Sequence, residues 1–130
     1  MPNDLSTSSA GSWDAHMSDG LKTDVACNAA VICTTEPGNP VVFVSDAFEA
    51  HTGYAPADVV GRSLAMLQGE GTEPEAVQLF RDLIRSAKPG KIRITNYRKD
   101  GTTFLHECEL RPIFDAEGTL THFAAIQRPV

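Results

Sequence analysis

The sequence predicts an α+β domain, a five-stranded antiparallel sheet with short helices on one face and a cap helix at the N-terminus. Three observations predict it. Two short apolar runs, "AAVICTT" and "VVFVS", flank the turn "EPGNP". One stretch, "TEPEAVQLFRDLIRSAKPG", has helical periodicity over its length. Three alternating runs, "KIRITNYR", "TTFLHECELRPIF" and "TLTHFAAIQRP", are separated by the turns "KDG" and "DAEG".

A length of 130 residues suits one compact domain. The 42% apolar and 22% charged residues are an ordinary globular balance. A net charge of −6 argues against nucleic acid as a partner, because a phosphate backbone requires a basic face. No apolar run approaches a membrane span, and "MPNDLSTSSAGSWD" lacks the order of a signal peptide. A cytoplasmic protein is expected. Cys27, Cys33 and Cys108 are odd in number and form no C-x-x-C pair, and the four histidines have no ligand spacing. Neither a disulfide framework nor a metal site is expected.

The chain divides into residues 1–28, a flexible start and an amphipathic cap helix, and residues 29–130, the main domain. Ser, Thr, Asn and Gly dominate the first twelve residues, which are expected to lack fixed structure. Trp13, Met17, Leu21 and Val25 recur every fourth residue and line one helical face, although Gly20 weakens that helix. After the first two strands, "SDAFEAH" is a short helix with Ser45 as N-cap. "TGYAP" turns the chain, and "ADVVGRSLAML" gives two short helical pieces divided near Gly61. In the longer helix Pro74 stands in the first turn, where proline is tolerated. Val77, Phe80, Leu83, Ile84 and Ala87 form its apolar stripe, and "KPG" ends it.

Side chains on a strand alternate between faces. Ile92, Ile94 and Asn96 therefore share one face, as do Phe104, His106, Cys108 and Leu110, and Phe123, Ala125 and Gln127. Each inward face carries one polar group: Asn96, His106 or Gln127. A buried amide without partners costs roughly 1–3 kcal/mol. Two readings are open on pattern alone. The three groups are satisfied by each other, backbone or water, or they converge on a planar polar ligand.

"GRSLAMLQGEGTEP", "NYRKDGTTF" and "FAAIQ", in that order, resemble the LOV (light, oxygen, voltage) subclass of PAS domains, over about residues 29–130. The resemblance implies a PAS fold enclosing a flavin, usually FMN, to whose ring a cysteine sulfur adds under blue light. The subclass reads G-R-N-C-R-F-L-Q-G where this chain reads G-R-S-L-A-M-L-Q-G. The reactive cysteine thus falls on Leu64, the preceding flavin-chain asparagine on Ser63, and a phosphate-binding arginine on Ala65. Gln68 matches, and the second phosphate arginine falls on Arg81. The two strand asparagines fall on Asn96 and His106, and the glutamine that reports flavin state falls on Gln127. The cofactor-binding set implied by the resemblance is Ser63, Leu64, Gln68, Arg81, Asn96, His106 and Gln127, with no catalytic residue and no metal.

Leucine has no nucleophile, so no cysteinyl-flavin adduct can form at residue 64. Cys33 and Cys108 read as ordinary core thiols. Ala65 removes half of the phosphate clamp, which favours riboflavin relative to FMN. Arg62 reads as solvated. His106 is bulkier than an amide and can titrate near neutral pH.

The resulting expectation is a flavin-binding sensory or signalling domain without adduct chemistry. Flavin photoreduction, with Trp13, Tyr54 or Tyr97 as electron donor, is the route left for light. The alternative is a flavin-free PAS module acting through dimerisation or another ligand. An enzyme is not expected, because no triad, phosphate loop or catalytic carboxylate pair is present and Glu107 and Glu109 face outward. Ala124 and Ile126, with Leu105 opposite, form an outer apolar patch to be covered by Trp13, Met17 and Leu21 of the same chain or of a partner. A homodimer through the outer sheet and the N-terminal helix is expected. With the chain ending at "QRPV", the expectation is either a stand-alone short photoreceptor or an unknown downstream effector that lies on another chain or in a truncated region.

Overall fold

The computed structural model describes residues 14–130. The expectations for residues 1–12, and for Trp13 as part of the cap or as an electron donor, fall outside them. A short 3-10 turn, Asp14–His16, leads into α1 (Asp19–Cys27). β1 (Ala29–Thr34) and β2 (Val41–Val44) follow, then α2 (Asp46–Thr52), α3 (Pro56–Val59) and a 3-10 turn over Leu64–Leu67. α4 (Pro74–Ser86) precedes β3 (Gly90–Tyr97), β4 (Thr103–Phe114) and β5 (Leu120–Pro129). The five strands pair antiparallel, in the order β2-β1-β5-β4-β3, and an isolated parallel bridge joins Val41 to Val60. None of the described helices is long and apolar enough to cross a membrane.

Alternation along the strands gives the sheet two apolar faces. On the inner face Val31, Leu110, Phe123 and Ala125 pack with Phe48 of α2, Val59 of α3 and Leu67 of the second 3-10 turn. On the outer face Ala30, Ile32, Ile113, Ala124 and Ile126 are buried beneath Met17, Leu21 and Val25. The chain's own cap thus covers the patch, with Ser18 as N-cap accepting from the Leu21 N–H at 3.1 Å. Arg128 pins the cap from below. Its guanidinium reaches Glu109 of β4 at 2.5 Å and Asp24 of α1 at 3.6 Å.

Leu105 does not belong to that patch. The short turn after β4 fixes a register in which Arg111 faces Ala124 and Glu109 faces Ile126. Leu105 lies beyond the end of the pairing and is 48% exposed, and Ile113 takes the place assigned to it. The stripe on α4 also differs. The helix ends at Ser86, and Ala87 is a left-handed cap with φ 55°. Ala76, which the stripe omitted, is the buried residue of α4, while Val77, Phe80, Leu83 and Ile84 are only half-buried against the core.

Ser45 ties both layers together. Its hydroxyl accepts from the Phe48 N–H at 3.3 Å and from the Ala30 N–H at 2.9 Å, and donates to the Asn28 carbonyl at 2.8 Å. Ser45→Ala removes the partner of the Ala30 N–H and the Asn28 carbonyl and the side-chain cap of α2, whose Phe48 N–H keeps the Ser45 carbonyl at 3.1 Å. It should lower unfolding free energy by about 2 kcal/mol, read from urea midpoints; a loss below about 0.5 kcal/mol would contradict the role given to this hydroxyl.

The turn between β3 and β4 is held to the helical layer. Arg98 Nε donates to the His51 carbonyl at 2.9 Å, the Lys99 N–H to the Thr52 carbonyl at 2.9 Å, and Lys99 Nζ to Asp58 at 3.1 Å. β2 is similarly joined to the chain after α3, with the Val41 N–H donating to the Arg62 carbonyl and the Gly61 N–H to the Val41 carbonyl.

Candidate functional site

Between the inner sheet face and the layer formed by the second 3-10 turn and α4 lie two connected cavities. The turn that divides them is fixed locally. Ser63 caps it, its Oγ accepting from the Ala65 N–H at 3.1 Å, and the Gln68 N–H closes it on the Ala65 carbonyl at 3.0 Å. Leu67 is directed into the core. Leu64 and Gln68 line both cavities.

The segment after Gln68 is clamped to β3. Tyr97 Oη accepts from the Gly71 N–H at 2.7 Å. Its ring lies so close to Gly69 that a Cβ there would stand 2.4 Å from it, so only glycine fits. Thr72 Oγ1 donates to the Thr95 carbonyl at 2.7 Å. The Glu73 carboxylate accepts from the Thr95 N–H at 2.8 Å and the Thr95 hydroxyl at 2.7 Å, and these bonds lower its pKa.

The outer cleft has a volume of about 220 Å³. Ser63, Leu64, Ala65 and Gln68 form one wall; Val77, Phe80, Arg81 and Ile84 of α4 form the other. The β1–β2 connection closes it through Gly38 and Asn39, with Cys33 beneath. Arg62 does not line it and is exposed.

The inner cavity has a volume of about 20 Å³, with Leu64, Leu67 and Phe80 above and Asn96, His106, Cys108 and Gln127 below. The register makes the polar cluster. His106 faces Ile94 on one side and Pro129 on the other. Asn96 and Gln127 are therefore its diagonal neighbours, about 7–8 Å away and on the same face. Cys108 lies directly opposite Gln127.

His106 and Gln127 are buried with polar atoms left unpartnered. His106 is 1% exposed and Gln127 4%. Both ring nitrogens of His106 and the Gln127 Oε1 have no hydrogen-bond partner among the described residues. Burial, aided by the charge of His51, pushes the His106 pKa down from 6.5 to about 4. The ring is neutral at pH 7 and offers one N–H and one lone pair. Phe104 stands beside it, at 5.2 Å between ring centroids, and is flanked by His51 at 4.5 Å and the Arg98 guanidinium at 4.8 Å. The expectation that His106 titrates near neutral pH does not allow for this desolvation.

A histidine whose folded pKa is depressed stabilises the fold above its unfolded pKa, and that stabilisation disappears as pH falls through the folded value. Between pH 6.5 and 4 His106 should remove up to about 3 kcal/mol from the unfolding free energy. Denaturant midpoints against pH should thus fall more steeply for the parent chain than for His106→Asn; parallel profiles would contradict the assignment.

Burial also pushes the Cys33 and Cys108 thiols up to about 12, so both are protonated at neutral pH. Among the described residues no cluster of three or more His, Cys, Asp or Glu could hold a metal ion. Neither Tyr54 nor Tyr97 lines either cavity.

All seven sequence-derived site residues line these cavities. Ser63 and Arg81 stand at the outer cleft, Asn96, His106 and Gln127 at the inner cavity, and Leu64 and Gln68 between. The sequence reading missed Asn39 and gave Cys108 no place beside Gln127. Asn39 has φ 50° in the turn "EPGNP", a signal of unusual backbone rather than of a site.

The donors fit a flavin ring edge, where carbonyls alternate with an N–H: a neutral imidazole and two amides offer complementary groups. The space is a separate constraint. Ligand pockets usually span about 300–1,000 Å³, and about 20 Å³ holds roughly one water. A ring could enter only with Leu64 and Phe80 displaced outward.

A family model described as "PAS domain" matches residues 28–128. Over 94 residues the chain is 40% identical to a blue-light-activated histidine kinase of Brucella canis, covering 72% of this chain and 19% of that protein. Over 96 residues it is 35% identical to the bacterioopsin transcriptional activator of Halobacterium salinarum, covering 74% and 14%. It thus spans less than a fifth of either relative. Among solved structures, the light state of the blue-light photoreceptor Aureochrome1 LOV superposes with a TM-score of 0.77 at 32% identity, covering 87% of this chain and 89% of that one.

Proposed function

The chain belongs to the PAS family and is of its LOV type, and from that premise we propose that it is a flavin-binding sensory module lacking the thiol reaction. The observation that carries the reading is the cluster of Asn96, His106 and Gln127 beneath Leu64 and Gln68, in which both His106 ring nitrogens and the Gln127 Oε1 are buried without partners among the described residues. When bound, the flavin would supply absorption of blue light and redox chemistry.

The chain's own residues divide the work of holding it. Asn96, neutral His106 and Gln127 meet the polar ring edge from the sheet. Leu64, Leu67 and Phe80 cover the ring's other face and exclude water. Ser63, Gln68 and Arg81 line the cleft that leads outward and suit a polar side chain. Arg81 is the cation beside Ala65 in that cleft, so riboflavin competes with FMN better than where two arginines grip a phosphate.

Gln127 and Arg128 are adjacent on β5 and serve opposite faces. Gln127 faces the cavity, and Arg128 grips α1 and β4. A changed contact at Gln127 is thereby felt at the cap. We assign the domain a signalling role rather than an enzymatic one, with the output passed to an effector and a homodimer as the working assembly. The small inner cavity favours the second reading, a PAS module without flavin.

Purification, a visible spectrum, acid release of any ligand and chromatography test the proposal. A yellow protein releasing FMN or riboflavin supports it. A colourless chain that stays empty when either flavin is added overturns it in favour of the second reading.

A further inference from the structure

We propose that His122 makes docking of the N-terminal cap on the outer sheet face protonation-dependent: the cap sits on a neutral imidazole and lifts when that ring takes up a proton.

His122 lies on β5 between Thr34 of β1 and Ile113 of β4, on the face that carries Ala124 and Ile126. It is 4% exposed, and neither ring nitrogen has a hydrogen-bond partner among the described residues. A neutral ring placed so already loses its water bonds; a charged one loses far more.

The neighbouring charges do not compensate. The leading turn carries Asp14 and His16, α1 carries Asp19, Lys22 and Asp24, and β4 carries Glu109 and Arg111. Asp24, Glu109 and Arg111 are engaged with Arg128 or with each other. β1 offers Thr34, which is uncharged. His16 is the charge that acts on His122, and it opposes a second cation; with burial as the larger cause, it lowers the His122 pKa.

A proton on His122 must be hydrated, and there are two ways to admit water. The sheet side is closed by hydrogen-bonded ladders to β1 and β4. The other side faces the N-terminal segment: His16 is near enough to act on the ring, and Met17, Leu21 and Val25 cover Ile113, Ala124 and Ile126 on the same face. Lifting the cap is the cheaper opening. Because the docked ring has the lower pKa, docking is strongest above the free value of about 6.5 and weakens by up to about tenfold per pH unit below it.

Hydrogen exchange of the full chain tests this at pH 7.5 and 5.5, after correction for intrinsic rates. The α1 amides, Leu21 to Cys27, should open more at pH 5.5, and by a larger factor than the β4 and β5 amides, which follow the titration of His106. His122→Phe should keep the cap docked and remove the excess of α1 opening over that of β4 and β5. Equal opening at both pH values, an increase in α1 no larger than that of β4 and β5, or an unchanged profile in His122→Phe would overturn the proposal. Should that variant fail to fold, NMR titration of His122 in the parent chain decides: a midpoint well below 6.5 supports it and one at or above 6.5 overturns it.

Discussion

Leu64→Cys should turn a flavin-loaded chain with a light-stable spectrum into one that bleaches reversibly under blue light and recovers in the dark. The side chain at residue 64 lines both cavities from a turn anchored at each end by Ser63 and Gln68. The turn owes its geometry to these backbone and cap bonds, so the substitution leaves it in place. Leucine offers nothing a ring carbon could bond, whereas a thiol does. The native thiols do not substitute for it. Both are held protonated, and Cys108 approaches from the sheet side. The packing loss is modest because Leu64 is half-buried; about 1–2 kcal/mol is expected. Leu64→Ser, equal in size but without a thiol, should stay light-stable. A Leu64→Cys protein that carries flavin yet shows no bleaching would mean that the turn does not aim residue 64 at the ring.

Ala65→Arg should tighten FMN by about 10- to 100-fold and riboflavin hardly at all. Residues 65 and 81 both line the outer cleft. Arg81 is exposed at its rim, so alone it makes a screened, single-sided contact to a phosphate. A second guanidinium adds charge-assisted, bidentate bonds worth about 1.5–3 kcal/mol. Titration of the apoprotein with each flavin measures the difference. Equal gains for both would show that the new arginine acts on the ring or on the fold, not on a phosphate.

The inner face of the site was legible because a strand repeats every two residues. Alternation alone put Asn96, His106 and Gln127 on one side of the sheet, and the motif around "LQG" placed Leu64 and Gln68 above them. Other features depend on distances that no local pattern encodes. Leu105 was misassigned because the face of a residue follows from alternation, but its partner follows from the register set by the next turn. The cover of the outer face was left between two chains, since periodicity on α1 does not say which sheet it meets. The sequence offers Tyr97 only as an electron donor; its hold on Gly69 and Gly71 arises only when the loop before α4 folds back over β3. The unpartnered His122 escaped notice because neither helix nor strand pattern reports whether a buried nitrogen finds a donor.

The bonds from Glu73 and Thr72 to Thr95, and from the chain after α3 to Val41, matter beyond the site. β3 and β2 are the two margins of the sheet. A margin with free N–H and carbonyl groups is a template on which another chain can add a strand. Here a carboxylate and a hydroxyl occupy the middle of one margin, with Lys91 and Arg93 charged beside it, and Gly61 and Arg62 occupy the other. Growth of the sheet from copy to copy is therefore blocked at both margins.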